Sequence, residues 1–181
     1  MKELSLHILD IVQNSISAKA SQIEIIIHED TNKNILSIEI KDNGIGMDNE
    51  TLQKVTDPFW TSRTTRKVGL GIPLFKAAAE RCDGHFYINS EKGKGTIIKA
   101  EFKRNHIDRA PLGDIADTIS LLILTNEGID FKYTHQFNGR SYNLNTVEIK
   151  QIIGDMPIHH FDIIEWIKKD VHQGIEEIEL Q

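Results

Sequence analysis

The sequence predicts an α/β fold in which a layer of helices packs on a mixed, mainly antiparallel sheet, with a small α/β appendage at the C-terminus. Three observations support this prediction. Apolar residues recur at helical spacing near the N-terminus, two pairs of alternating segments are typical of β-hairpins, and the elements follow in the order helix, hairpin, loop, helix, hairpin. Helices with one apolar face pack against the apolar face of a sheet, which gives a two-layer sandwich.

The first helix is predicted from Leu4 to Ala20, because its apolar residues lie three or four positions apart. Alternating segments over 22–30 and 35–42 follow, and the polar turn TNKN joins them into a hairpin. The glycine-rich sequence DNGIGM then forms a loop, and only a short helical signal comes after it.

A second helix is predicted in GLGIPLFKAAAERCDG, opened by glycines and ended by Gly84. The segment HFYINSEKGKGTIIKAEFKR forms the second hairpin, and residues 105–111 form a connector. Further helices and a hairpin turning at Asn138-Gly139 complete the chain. Trp166, in the last helix, is expected in the core, whereas an exposed Trp166 would indicate an interface.

Charge divides the chain into two predicted parts. The 181 residues carry a net charge of -6, but residues 1–104 are close to neutral and residues 105–181 carry 6 Lys+Arg against 13 Asp+Glu, a net of -7. We expect residues 1–104 to be one domain and residues 105–181 an acidic extension of unknown role. An acidic surface repels polyanions, so nucleic acid is not an expected partner.

The composition also excludes several classes of protein. One cysteine cannot form a disulfide framework or a multi-cysteine metal site. No segment approaches the roughly 20 apolar residues of a membrane helix, and the N-terminus lacks a cleavage-site pattern. We therefore expect a cytoplasmic protein that does not bind membranes.

An acid, an amide and an alanine lie on one face of the first helix. Asp10, Asn14 and Ala18 are each four positions apart, so they lie one turn above the next. The acid could position or deprotonate a water molecule, and the amide oxygen could bind a hard cation such as Mg²⁺. A solvent-exposed polar face is the alternative interpretation.

Glycines mark three further clusters. The sequence Asp42-Asn43-Gly44-Ile45-Gly46-Met47 follows a strand and allows close approach to a flat ligand, although it could also be a simple turn. Gly69-Leu70-Gly71 opens a helix, whose free amides can bind phosphate, and a cationic stretch over 61–67 precedes it. Gly93-Lys94-Gly95-Thr96 lies in a hairpin turn, where glycine is expected in any case. Neither a Walker A nor a dinucleotide-binding fingerprint is present.

Together, in this order and on these elements, the four clusters resemble the Bergerat-type ATP-binding fold shared by DNA gyrase, Hsp90, histidine kinases and MutL. The resemblance covers about residues 1–104. The segment PFWTSRTTRKVGLGIPL is most similar to the catalytic domains of histidine kinases and anti-sigma-factor kinases, whereas NSISAKASQIEIII is more similar to MutL.

The resemblance implies a role for each matching residue. Asp42 would accept a hydrogen bond from the adenine amino group, and Asn14 would bind Mg²⁺ together with the ATP phosphates. Asp10 occupies the position of the general base that activates water, where this family usually has glutamate. The other nucleotide contacts implied are Ala18, Gly44, Gly46, Met47, Phe59, Thr61, Ser62, Arg63, Lys67, Gly69, Leu70, Gly71, Ile72 and Thr96.

The expected function is that of an Mg-ATP-binding protein that hydrolyses ATP slowly or transfers its γ-phosphate to a protein partner. A short lid, about residues 59–69, would become ordered over the phosphates. The alternative is a non-catalytic ATP-dependent switch or adaptor. In either case we expect the acidic extension to contact a protein partner, and a homodimer is possible.

Overall fold

The computed structural model describes residues 2–57 and 70–180 of the chain. The helices in these ranges are α1 (Leu4–Ser17), α2 (Asn49–Lys54), α3 (Gly71–Arg81), α4 (Ile115–Thr125), α5 (Thr146–Ile153) and α6 (Phe161–Glu179). The strands are β1 (Gln22–Asp30), β2 (Ile35–Asp42), β3 (His85–Glu91), β4 (Gly95–Lys103), β5 (Asp130–Phe137) and β6 (Arg140–Asn145).

The described strands form one sheet in the order β3-β4-β2-β1-β5-β6. Neighbouring strands are antiparallel except β1 and β5, which run parallel. The helices form a connected layer, because α1 contacts α3 and α4, and α4 contacts α6. The predicted fold class, helices on a mixed and mainly antiparallel sheet with a C-terminal α/β appendage, is confirmed.

The alternation of side chains places the core between the two layers. In β1, Ile23, Ile25 and Ile27 are buried, whereas the alternate residues Glu24, Ile26 and His28 are partly exposed. Successive side chains of a strand point to opposite faces of the sheet. Ile23, Ile25 and Ile27 therefore face the helices, whereas Glu24, Ile26 and His28 lie on the outer face.

Helix α1 ends at Ser17, three residues before the predicted position. Lys19 has a φ of 59°, a left-handed conformation that cannot continue a right-handed helix. The Lys19 and Ala20 amides donate to the carbonyls of Ile16 and Ser15, which closes the helix end. Ala20 is still buried, so its apolar character reflects the turn that follows the helix.

The end of α3 also differs from the prediction in detail. Asp83 adopts the left-handed conformation there, with a φ of 52°, and not Gly84. A Cβ atom on Gly84 would overlap the Glu101 carbonyl oxygen of β4. Glycine is required at this position because the chain passes directly against the neighbouring strand.

A buried polar network joins β5 to the rest of the sheet. The Glu29 carboxylate accepts a hydrogen bond from Arg104 Nε at 2.9 Å and lies 3.1 Å from His135 Nε2, which donates to it. The Tyr133 hydroxyl lies 2.8 Å from His135 Nδ1. Burial alone would raise the Glu29 pKa, but the hydrogen bonds from His135 and Arg104 outweigh this and lower the pKa.

The position of Trp166 differs from the sequence prediction. Trp166 is 51% exposed on α6, so its expected core position is wrong. Helix α6 has a narrow apolar stripe that includes the buried Ile167 and Val171, and Trp166 lies beside this stripe.

Across the two described ranges, no helix combines the length and the apolar character needed to cross a membrane.

Candidate functional site

The N-terminus of α3 lies against the polar face of α1. A Cβ atom on Gly71 would lie 3.0 Å from the Asp10 Cβ, 3.7 Å from Asp10 Oδ2 and 3.8 Å from Asn14 Nδ2. Only a residue without a side chain permits this approach without displacing the acid. The carboxylate and the amide share one face of α1, as their spacing suggested, and the fold brings the N-terminus of α3 against that face.

The start of α3 is suited to an anion. Leu70 precedes the helix and provides no side-chain cap, and no acidic residue lies in the first turn. The first amides of a helix lack partners within the helix, and the helix dipole is positive there. The backbone N–H groups of Gly71 and Ile72 are therefore available to phosphate oxygens, whereas the Ile72 side chain is buried in the core.

Asn14 has a buried side-chain atom that lacks a partner within the described residues. Its Nδ2 atom is inaccessible to solvent and makes no hydrogen bond to residues 2–57 or 70–180. A buried amide group that is left unpaired costs free energy, so such a group points to a missing partner. Because the two ends of an asparagine amide are assigned and not observed, the side chain can present its oxygen to a cation or its nitrogen to a phosphate.

Asp42 is held at the end of β2 by two hydrogen bonds. Ser15 Oγ donates to Asp42 Oδ2 at 2.7 Å, and the Gly44 amide donates to Oδ1 at 2.9 Å. Each carboxylate oxygen can accept a second hydrogen bond. A Cβ atom on Gly44 would lie 2.7 Å from the Ala18 carbonyl oxygen, so glycine lets the loop pass against the end of α1.

Thr96 lies directly opposite Asp42 on β4 and is oriented by Ser90. The Ser90 and Thr96 hydroxyls are 2.9 Å apart, and Ser90 Oγ also accepts the Met47 amide at 2.8 Å. One serine thus links the loop after β2 to the β3–β4 hairpin. The side chains predicted to surround a flat ligand share this end of the sheet.

Two glycines allow these segments to touch. Gly46 has a φ of 64°, and a Cβ atom there would overlap the Glu91 carbonyl oxygen. Gly95 has a φ of 103°, and a Cβ atom there would overlap the Asp42 carbonyl oxygen. Both positions need glycine for the backbone conformation and for the close packing. The GKGT turn therefore packs against the loop after β2 as well as reversing the chain.

The structure reveals two serines that sequence reasoning missed. Ser15 lies in the buried stripe of α1 formed with Ile8, Ile11 and Val12, and Ser90 is an inward-facing position of β3. A polar residue on an apolar stripe needs a hydrogen-bond partner. That signal was present in the sequence, and the partners that it required are Asp42 and Thr96.

Part of the predicted site lies outside the described residues. This applies to the predicted lid over 59–69 and to its phosphate contacts. The residues concerned are Phe59, Thr61, Ser62, Arg63, Lys67 and Gly69.

Solved structures share this architecture. The N-terminal domain of a DNA repair protein has a TM-score of 0.57 at 16% identity, covering 87% of this chain and 59% of that chain. The ATPase domain of Aquifex aeolicus MutL, solved with ADP, has a TM-score of 0.50 at 16% identity, covering 84% of this chain and 69% of that chain. At this level of identity the similarity shows the fold.

Two sensor proteins share sequence with about half of the chain. A putative sensor protein of Shewanella frigidimarina is 38% identical over 99 residues, which are 52% of this chain and 15% of that protein. The Bacillus subtilis sensor histidine kinase YvrG is 32% identical over 92 residues, which are 49% of this chain and 16% of the kinase. The similar region is thus a small part of each relative.

A family model covers the region that contains both parts of the site. The model described as histidine kinase-, DNA gyrase B-, and HSP90-like ATPase matches residues 2–106. This range includes the acid and amide on α1, the Asp42 loop, the start of α3 and the GKGT turn. The chain therefore belongs to the histidine kinase-, DNA gyrase B- and HSP90-like ATPase family and carries its ATP-binding domain.

Proposed function

We propose that this protein binds Mg-ATP and acts on its γ-phosphate, either hydrolysing ATP slowly or transferring the phosphoryl group to a protein partner. The observation that carries the proposal is the convergence of Asp10, Asn14 and the uncapped N-terminus of α3 around Gly71. An acid that can accept a proton, an amide that can bind a cation and amides that can bind phosphate are the groups this chemistry needs.

The two ends of the site would hold the two ends of the nucleotide. Asp42, oriented by Ser15 and Gly44, would accept the adenine amino group, with Thr96 supporting the base through water. The Asn14 oxygen would bind Mg²⁺, which neutralises phosphate charge when it is bound. Asp10 is exposed next to the start of α3, where it could take a proton from an attacking water molecule.

Transfer to a protein is supported by the relatives. One of the proteins that shares sequence with about half of this chain is named a sensor histidine kinase. We further propose that residues 1–104 form the ATP-binding unit, that residues 105–181 contact the partner, and that residues 59–69 become ordered over the phosphates. Protection of Arg63, Arg66 and Lys67 from trypsin by Mg-ATP tests the last point.

The catalytic proposal is tested with γ-labelled ATP and an Asp10→Asn variant. We expect release of labelled phosphate by the unchanged protein, and a decrease of about 100-fold or more in the variant, since the base is lost. ATP affinity should be retained, and Asp155→Asn, an exposed site on the extension, serves as the control. Hydrolysis that survives in Asp10→Asn would refute the general-base role, whereas label on a second protein would identify a kinase.

A non-catalytic switch is the second candidate. It is favoured by one observation: among the described residues, no hydrogen bond or ion pair orients the Asp10 carboxylate. A general base is usually held in place by a neighbouring group. The switch predicts that ATP binds and changes the affinity for a protein partner, while no labelled phosphate is released or transferred.

A further inference from the structure

An open groove lies on the helical layer, between α1, α4 and α6. Its volume is about 430 Å³, which falls within the range of ligand-binding clefts. Two of its three walls, α4 and α6, belong to the acidic extension. The groove therefore exists only because the extension packs beside the ATP-binding region.

The groove has an apolar floor that is partly open to solvent. Leu6 of α1 is 40% exposed, and Leu121 and Leu124 of α4 are 47% and 44% exposed. Leu9 and the buried Ile164 complete the floor. Leucines three positions apart on two neighbouring helices form parallel stripes, which is the arrangement that accepts the apolar face of another helix.

The rim of the groove is acidic. Glu3, Asp114, Asp117 and Glu165 line it, against a single cation, Lys168. Lys168 is already paired with Asp117. Glu3 of the N-terminal region and Asp114 and Glu165 of the extension therefore remain around an apolar floor. The extension as a whole has a net charge of -7.

We propose that this groove binds a basic amphipathic helix of a protein partner. The apolar face of such a helix would cover the leucines, and its lysine or arginine side chains would meet the acidic rim. A second copy of this chain is disfavoured, because two acidic extensions would repel each other. An anionic lipid surface and a nucleic acid are disfavoured by the same charge.

The groove is adjacent to the proposed catalytic acid. Leu6 and Asp10 are four residues apart on α1, so they lie on the same side of the helix, one turn from each other. A partner helix seated on Leu6 would therefore lie about one helical turn from Asp10. This inference names the partner class of the proposed function, but docking itself needs no nucleotide.

A defined peptide tests the docking on the full chain without nucleotide. The probe is a fluorescein-labelled peptide of about 14 residues with leucines at i, i+3, i+4 and i+7 and lysines at the flanks. A second peptide has the same composition with the leucines spread around the helix, and a third has glutamate in place of lysine. Fluorescence anisotropy should show both controls binding at least about tenfold more weakly.

Groove variants locate the binding site. Leu121→Ser combined with Leu124→Ser should weaken the basic peptide at least about tenfold, because it removes the exposed apolar floor. Glu165→Lys should weaken the basic peptide and strengthen the acidic one. The matched controls are Ile152→Ser and Glu177→Lys, two exposed positions that do not line the groove, and both should bind as the unchanged chain does. Circular dichroism melting confirms that each variant folds.

Several results would overturn the proposal. The proposal is wrong if the basic peptide does not bind, or if the peptide with redistributed leucines binds equally well. It is also wrong if the groove variants bind the basic peptide as the unchanged chain does. A dimer in sedimentation equilibrium that the double leucine variant dissociates would assign the groove to self-association. Binding to phosphatidylserine vesicles that depends on the same leucines would assign it to a membrane surface. If the unchanged chain binds the basic peptide but neither hydrolyses ATP nor transfers its γ-phosphate, the proposed function is refuted and the docking proposal stands.

Discussion

Replacing Asp42 with asparagine should change which base the site prefers. A carboxylate only accepts hydrogen bonds, and the structure leaves each Asp42 oxygen with capacity beyond its bond to Ser15 or Gly44. Adenine carries an amino group at the position where guanine carries a carbonyl oxygen. The natural residue therefore favours ATP and opposes GTP, whereas an asparagine can turn an amino group towards guanine.

The size of the effect follows from the kind of hydrogen bond that is lost. A hydrogen bond to a charged group contributes about 1.5–3 kcal/mol, so Asp42→Asn should weaken ATP binding about 10- to 100-fold. The fold should survive, because the Ser15 hydroxyl can accept from the new amide instead of donating to a carboxylate. GTP binding should improve or stay constant, so the ATP-to-GTP affinity ratio should fall by at least as much as the ATP affinity itself.

Calorimetric titration with Mg-ATP and Mg-GTP measures this ratio for the unchanged protein and the variant. Asp155→Asn removes the same charge from an exposed loop and should leave both affinities unchanged. Thermal unfolding of each protein separates a binding effect from a loss of structure. If the variant folds normally and keeps the original ATP-to-GTP ratio, Asp42 does not contact the base.

Three predictions concern stability. Gly95→Ala should lower the free energy of unfolding by about 3 kcal/mol or more in urea titrations, because the new Cβ overlaps a backbone carbonyl at a positive φ. Gly93→Ala, also at a positive φ but in open space, should cost only about 1 kcal/mol, and equal losses would contradict the packing argument. Glu29→Gln should cost about 3 kcal/mol at pH 7 and should flatten the decline in stability below pH 4.5, since the lowered pKa of this carboxylate makes its contribution disappear as it is protonated. Glu24→Gln on the exposed face of the same strand should cost under about 1 kcal/mol and leave that decline unchanged. Burial lowers the His7 pKa from 6.5 to about 4. Between these pH values the unfolded chain is protonated at His7 and the folded chain is not, so the free energy of unfolding should decrease as the pH is lowered from 6.5 to 4. His7→Leu should remove that dependence, and an unaltered pH profile would show that His7 does not cause it.

Local elements could be predicted from the sequence because their causes are local. Both N-terminal hairpins follow from alternation and turn residues. The strand ends of the first hairpin agree with the prediction, and the second hairpin lies within the predicted segment. The acid and amide of α1 share a face because of helical geometry alone. Their meeting with the start of α3 could be expected only from the resemblance, since it depends on packing between distant segments.

The remaining features depend on contacts between distant segments, which the spacing of residues along the sequence does not specify. The parallel pairing of β1 with β5 joins segments far apart in the chain, and nothing in either strand's alternation specifies that partner. The difference between Asp83 and Gly84 at the end of α3 arises from contact with β4. Ser15 and Ser90 could be recognised as polar residues on buried faces, but their partners required the fold.

The position of β1 has a consequence for synthesis on the ribosome. Residues 1–104 can form four antiparallel strands before β5 has been made, and during that interval the edge of β1 has unpaired backbone groups. That edge contains three consecutive isoleucines, Ile25, Ile26 and Ile27, a composition prone to pairing with other chains. Translation through residue 137 then supplies the parallel strand that covers it. In the folded chain, β5 therefore covers an edge of β1 whose composition would otherwise favour pairing with other chains.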